Sequence, residues 1–234
     1  MPFSVFNVSQ GNSDFPPKFA HNSSVRIESE ILRAAQVRTG RNLEFLTIGW
    51  NVLEAVIAVG AGLVSGSTAL VGFGLDSVIE VTSSLALVWR LSLDADMQRR
   101  ERLEARTLKV VGITFFALAA YVAYESASAL WNHQAASPSF IGIILAALSL
   151  AVMPLLARAK RRIAVQIGSR ALKADSRQTD ICAYLSAILL GGLLLNALFG
   201  IWWADPVTAL IMVPIIAKEG RDAVQGETCC DTCH

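Results

Sequence analysis

Apolar residues in this chain gather into runs near twenty residues long, separated by short polar stretches, and the runs fall at 43–64, 67–91, 108–131, 139–157, 181–203 and 205–217. A helix rises 1.5 Å per residue, so about twenty apolar residues cross the roughly 30 Å hydrocarbon core of a bilayer. The pattern predicts an all-α membrane protein of six transmembrane helices in one compact bundle. The sixth run is the shortest and contains Pro214. Ahead of the first, the segment 24–39 spaces Ile27, Ile31, Leu32 and Ala35 at helical intervals between charges and predicts a short surface helix. No repeat of fixed period interrupts the chain. Pro16 and Pro17 break a polar start that lacks the basic and apolar regions of a secretory signal, so no cleaved signal is expected.

Charge orients the helices. All 20 Lys and Arg residues fall at 18–41, 90–109, 158–177 and 218–221, while the connections around Gly66, 133–138 and Ala204 have none. Short cytoplasmic loops accumulate basic residues, so both termini are expected in the cytoplasm. The resulting organisation is a cytoplasmic tail over 1–42, a transmembrane domain over 43–217 and a cytoplasmic Cys-rich tail over 218–234, in a plasma membrane, the inner membrane of a bacterium. Composition agrees: 53% of residues are hydrophobic, 17% are charged and mean hydropathy is +0.49. With a net charge of +1 and acidic residues among the basic ones, no face suits a nucleic acid. No nucleophile–base constellation, nucleotide loop or prosthetic-group fingerprint points to an enzyme.

Against this background Asp76 and Glu80 stand out, because both lie inside the second run. An acidic side chain near the bilayer centre costs about 2.5 to 3.5 kcal/mol on insertion scales, which makes it a functional candidate. The two are four residues apart and share a helix face with Thr68, Gly72 and Ser83 or Ser84. Their Cβ atoms are then about 5 to 6 Å apart, within range of one shared cation. A metal ion binds the deprotonated carboxylates, so its arrival releases protons.

A tetrahedral divalent site needs about four ligands. The fifth span places Asp175, Gln178, Thr179, Cys182 and Ser186 on one face, whereas Asp180 points elsewhere. Gln178 and Cys182 are the candidates to complete the site, and a thiolate favours zinc, cadmium or another borderline-to-soft ion. The competing readings are an interhelical hydrogen bond for Gln178 and a small apolar core residue for Cys182. Asn51 and Glu54 in the first span, and Tyr121, Tyr124 and Glu125 in the third, are further polar groups in apolar runs. Glu54 and Glu125 suit a proton relay, with interhelical hydrogen bonding the equal alternative. Asp205 before Pro206 reads as the N-cap of the sixth helix. The final residues GETCCDTCH gather Cys229, Cys230, Cys233 and His234, either a soft-metal hook or a plain tail. Haem attachment, which the C-x-x-C-H spacing formally matches, is not expected there.

Three segments carry a family resemblance. GSTALVGFGLDSVIEVTSS is similar to the second helix of the cation diffusion facilitators, LKADSRQTDICAYLSA to the start of their fifth helix, and WADPVTAL to the start of their last. FGLDSVIEVTSSLALVWR is closest to the branch typified by transmembrane protein 163. The resemblance implies a cation-efflux-type bundle that exports a divalent metal such as zinc from the cytoplasm by proton antiport, with its site shared by the second and fifth helices. Its partners would be divalent metal ions, protons, the lipid bilayer and a second copy in a homodimer, with no prosthetic group. By position Asp76 and Glu80 match the second-helix ligands, Glu replacing the usual Asp. On the fifth helix an ungapped alignment sets Gln178 at the usual His and Cys182 at the usual Asp; a gapped one uses Ser176 and Asp180. Helix face and the distance to Asp205 favour the ungapped version. The soluble metal-binding domain that family members commonly carry after the sixth helix is not expected in the residues after 217. The alternative function is a membrane protein that senses metal or modulates a partner without transporting.

Overall fold

The computed structural model describes residues 18–92 and 97–225. Among them are six α-helices: α1 (Lys18–Ser65), α2 (Thr68–Ser92), α3 (Met97–Trp131), α4 (Phe140–Ile167), α5 (Arg170–Phe199) and α6 (Ala204–Gln225). The fold divides into a unit ending at Ala35 and a helical bundle from Gln36 onward, and the bundle carries the buried polar groups of the described residues. Five stretches, in α1 to α5, are long and apolar enough to cross a membrane. The chain is an integral membrane protein. The sixth helix starts with Asp205 in its first turn, carries Pro214, and ends in Lys218, Glu219, Arg221 and Asp222, which shortens its apolar part.

The helices outrun the apolar runs, and this corrects one sequence expectation. No separate surface helix precedes the first span, because α1 is continuous from Lys18 to Ser65. The basic stretch 158–177 is itself largely helical. It is the end of α4 and the start of α5, joined at Gly168 and Ser169. Gly168 adopts the left-handed conformation (φ 65°) that only glycine takes without steric cost, and the N–H groups after α4 return to Ala164 and Val165 carbonyls. Ser169 then caps α5 by accepting from Leu172 N at 3.3 Å. A turn this short makes α4 and α5 antiparallel neighbours and draws their charged ends into the bundle.

Packing is tightest where a glycine replaces a side chain between helices. A Cβ added to Gly74 of α2 would lie 2.7 Å from Val59 Cγ2 and 2.9 Å from Val59 N of α1. On Gly192 of α5 it would lie 2.0 Å from Thr208 Oγ1 of α6. Small residues permit this approach, as is common between membrane helices, where lipid tails supply no hydrophobic drive. Phe73, Val122, Leu145, Met153, Leu185, Leu189, Met212 and Ile216 fill the core. Val56, Val64, Tyr124, Ile141, Ile144 and Leu198 face outward. Apolar outside with polar groups within is the arrangement a bilayer solvent favours.

At the end holding the α1–α2 turn, Asp205 does something other than cap its own helix. It sits in the first turn of α6, and its carboxylate accepts from Ser67 Oγ, from Thr68 N at 2.9 Å and from Ala69 N at 3.4 Å. Ser67 in turn accepts from Leu70 N at 3.1 Å. The N-terminal N–H groups of α2 lack partners within their own helix, and a neighbouring helix supplies the acceptor. Asp205 therefore anchors the start of the helix that carries Asp76 and Glu80. Asp205→Ala is expected to lower stability by about 1 to 2 kcal/mol, the upper range for a cap. Thermal unfolding in detergent measures it, and an unchanged midpoint would contradict the anchoring role.

Candidate functional site

Four helices turn polar stripes toward one another. On α1 the stripe is Glu44, Thr47, Asn51 and Glu54, and on α2 it is Asp76, Ser77, Glu80 and Ser84, all buried. From α4 come Ser149 and Lys160, and from α5 come Asp175, Ser176, Thr179, Cys182 and Ser186, again all buried. On α1 the spacing is three or four residues, and on α4 Ser149 and Lys160 lie eleven apart, about three turns, so each set lies along a helix face rather than scattered around it. The last turns of α2 approach α5 through Ser83, whose hydroxyl donates to Gln178 Oε1 at 3.4 Å.

The centre of this interior holds three carboxylates and a thiol. Asp76 and Glu80 are 7% and 2% exposed, Glu54 is 0% exposed and Cys182 is 2% exposed. Glu54 Oε2 accepts from Ser77 Oγ at 3.0 Å and lies 3.9 Å from Cys182 Sγ. Buried polar atoms without a hydrogen-bond partner concentrate in the same interior: Glu80 Oε1, Glu54 Oε1, both side-chain atoms of Asn51, and the hydroxyls of Ser84 and Ser149. A buried acceptor left unpaired costs about 1 to 3 kcal/mol, so several together mark an interior with unused capacity for a cation or water. Among the described residues, no three His, Cys, Asp or Glu side chains are yet close enough to hold a metal ion. A site shared by Asp76, Glu80 and Cys182 is therefore not assembled among the described residues.

The remaining candidates separate. Asp175 is buried but turned to Lys160, with which it forms an ion pair, and Lys160 Nζ also lies 3.2 Å from Glu44 Oε2. Asp180 pairs with Arg161 at the partly exposed outer surface, apart from the inward face that its helix turns to α2 through Gln178. Gln178 is half-buried and Glu125 is half-buried on α3. Tyr121 and Tyr124 are 42% and 72% exposed, at the surface rather than among the interior polar groups. Cys229, Cys230, Cys233 and His234 lie outside the described residues.

Several interior groups are not evident from the pattern of the chain. The basic stretch 158–177 hides Lys160 among apparent loop residues, yet it is 0% exposed. Its place four residues before Ala164 and seven after Met153, on the face those buried residues share, is the signal that could have found it. Glu44 continues the Thr47, Asn51 and Glu54 stripe by one step. Glu219 lies just past the apolar part of α6. Burial pushes its carboxyl up to about 7, with Asp222 adding to the shift and Lys218 opposing it.

Residues 45–224 match the cation efflux transmembrane domain. Similar proteins include an uncharacterized transporter of Synechocystis sp., 26% identical over 74% of this chain and 58% of its own length. Another is an uncharacterized transporter of Methanocaldococcus jannaschii, 25% identical over 76% of this chain and 64% of its own. A third is the magnetosome protein MamB of Magnetospira sp., 26% identical over 78% of this chain and 64% of its own. The chain thus spans about three fifths of the length of these curated relatives. The domain match covers most of the helical bundle, including both carboxylates of α2, and on that ground the chain belongs to the cation efflux family, the cation diffusion facilitators.

Proposed function

We propose that the protein is a divalent-metal transporter that moves a zinc-like ion out of the cytoplasm in exchange for protons. The observation that carries this reading is the Asp76 and Glu80 pair, buried on α2 in a membrane bundle whose interior also holds Glu54 and the Cys182 thiol, 3.9 Å from each other. Asp76 and Glu80 supply two oxygens, while Cys182 and Gln178 on α5 supply sulfur and oxygen. Gln178 reaches this position by leaving Ser83. Glu54 accepts protons released as the metal binds, and Glu125 provides a further station on α3. In this reading α6 is the sixth crossing, both termini are cytoplasmic, the membrane is the plasma membrane and two copies pair as a homodimer. Among family branches the α2 segment is closest to the one typified by transmembrane protein 163.

Turnover follows alternating access, with α2 and α5 opening the site to each side in turn. The α4–α5 turn keeps α5 tied to α4, so the pair moves as a unit against α2. The experiment is a flux assay in proteoliposomes carrying a pH gradient. Zinc, cadmium or cobalt is expected to move down its driving force while protons move the opposite way. Metal that binds without crossing the membrane would replace this reading with a metal sensor. Metal flux indifferent to the pH gradient would remove the antiport.

A further inference from the structure

Lys160 is the group that the transport reading does not use. Its ammonium has three N–H donors, and three oxygens surround it: Asp175 Oδ2, Glu44 Oε2 at 3.2 Å and Thr179 Oγ1 at 3.4 Å. These come from α1 and α5, while Lys160 itself comes from α4, so one side chain ties three helices. Lys160 and Glu44 are 0% exposed and Asp175 is 7% exposed. A second feature points to a ligand. The other oxygen of Glu44, Oε1, is buried without any hydrogen-bond partner. The cluster holds two carboxylates and one lysine.

The position is as informative as the chemistry. Asp175 precedes Cys182 by seven residues, about 10 Å along α5, and Glu44 precedes Glu54 by ten, about 15 Å along α1. The cluster therefore lies toward the α4–α5 turn, between that end of the bundle and the Glu80 and Cys182 centre. The Lys160 charge also acts on Glu80.

We propose that Glu44, Asp175 and Thr179 form a second cation site, which the Lys160 ammonium occupies as a tethered stand-in for a divalent ion. Three oxygens around Nζ, plus the spare oxygen of Glu44, give a divalent ion an oxygen set typical of hard to borderline cations. Metal–oxygen bonds are about 2.0 to 2.2 Å for zinc, so the Glu44 carboxylate, 3.2 Å from Nζ, would draw in by about 1 Å on exchange. An ion approaching from the α4–α5 end displaces the ammonium before it reaches Asp76 and Glu80, and Lys160 keeps the site from holding that ion permanently. This rests on the transport reading only for the direction of travel.

The test counts metal. Full-length protein in detergent is titrated with cobalt or zinc, as wild type, as Lys160→Met, and as Lys160→Met with Glu44→Gln. Lys160→Met is expected to bind one more equivalent than wild type, and adding Glu44→Gln is expected to remove it. An unchanged count in Lys160→Met, or an extra equivalent that survives Glu44→Gln, overturns the proposal. Should Lys160→Met fail to fold, Lys160→Gln carries the same comparison. Repeating the series in an Asp76→Ala, Glu80→Ala background separates this site from the central one. The extra equivalent persists there if the two are distinct.

Discussion

Asp76→Ala combined with Glu80→Ala is expected to stop metal flux and to leave the protein folded, at least as heat-stable as the wild type. The two effects have one cause. Both carboxylates are buried, and Glu80 has an oxygen with no hydrogen-bond partner. In the empty protein they carry a desolvation cost that their surroundings offset only in part, so alanine relieves it. In the proposed transporter they are the ligands of the metal. Even partners one shell beyond a metal's ligands cost about 10- to 100-fold in affinity or activity when removed, so loss of both carboxylates is expected to cost at least about 100-fold. Flux in proteoliposomes and unfolding in detergent read the two parts separately. A double variant that still transports would sink the assignment, and one that no longer folds would show the pair to be structural.

The second large effect concerns stability. Asp175→Ala is expected to destabilise the protein by about 3 to 5 kcal/mol, because it leaves a buried ammonium with one carboxylate fewer. Asp180→Ala, five residues along the same helix, is expected to cost about 1 kcal/mol or less. Asp180 also pairs with a cation, but that pair is partly exposed, with Arg161 at 47%, and solvent screens it. The contrast separates burial from pairing, since both residues lose one ion pair. Equal unfolding midpoints for the two variants would mean that water reaches Lys160.

Helix existence was legible in the sequence, because apolar runs of membrane length have few other physical solutions. Asp76 and Glu80 were legible for the same reason: a carboxylate in an apolar run has no inexpensive explanation. The interior placement of Cys182 followed from counting a helix face. Charge, by contrast, is a poor marker of where these helices end. Lys160 sits in a charged stretch between the apolar runs, yet it pairs with Asp175 and Glu44, which lets the charged ends of α4 and α5 continue as helices into the bundle. Pairing is a tertiary fact, and no single segment displays it. Asp205 differs from its local pattern for a related reason. Its own helix offers it a cap position, but two helices starting at the same end share the acceptor, and α2 took it. The tail cysteines fall beyond residue 225, outside the described residues.

The metal site between α2 and α5 is the central claim, and sulfur gives it a direct signature. With Cys229, Cys230 and Cys233 replaced by serine, Cys182 is the remaining cysteine of the four. Cadmium added to that protein is expected to produce a thiolate-to-cadmium charge-transfer band, which disappears in Cys182→Ala and in Asp76→Ala with Glu80→Ala. Cadmium that binds with no such band, or a band indifferent to Asp76 and Glu80, would contradict a shared site.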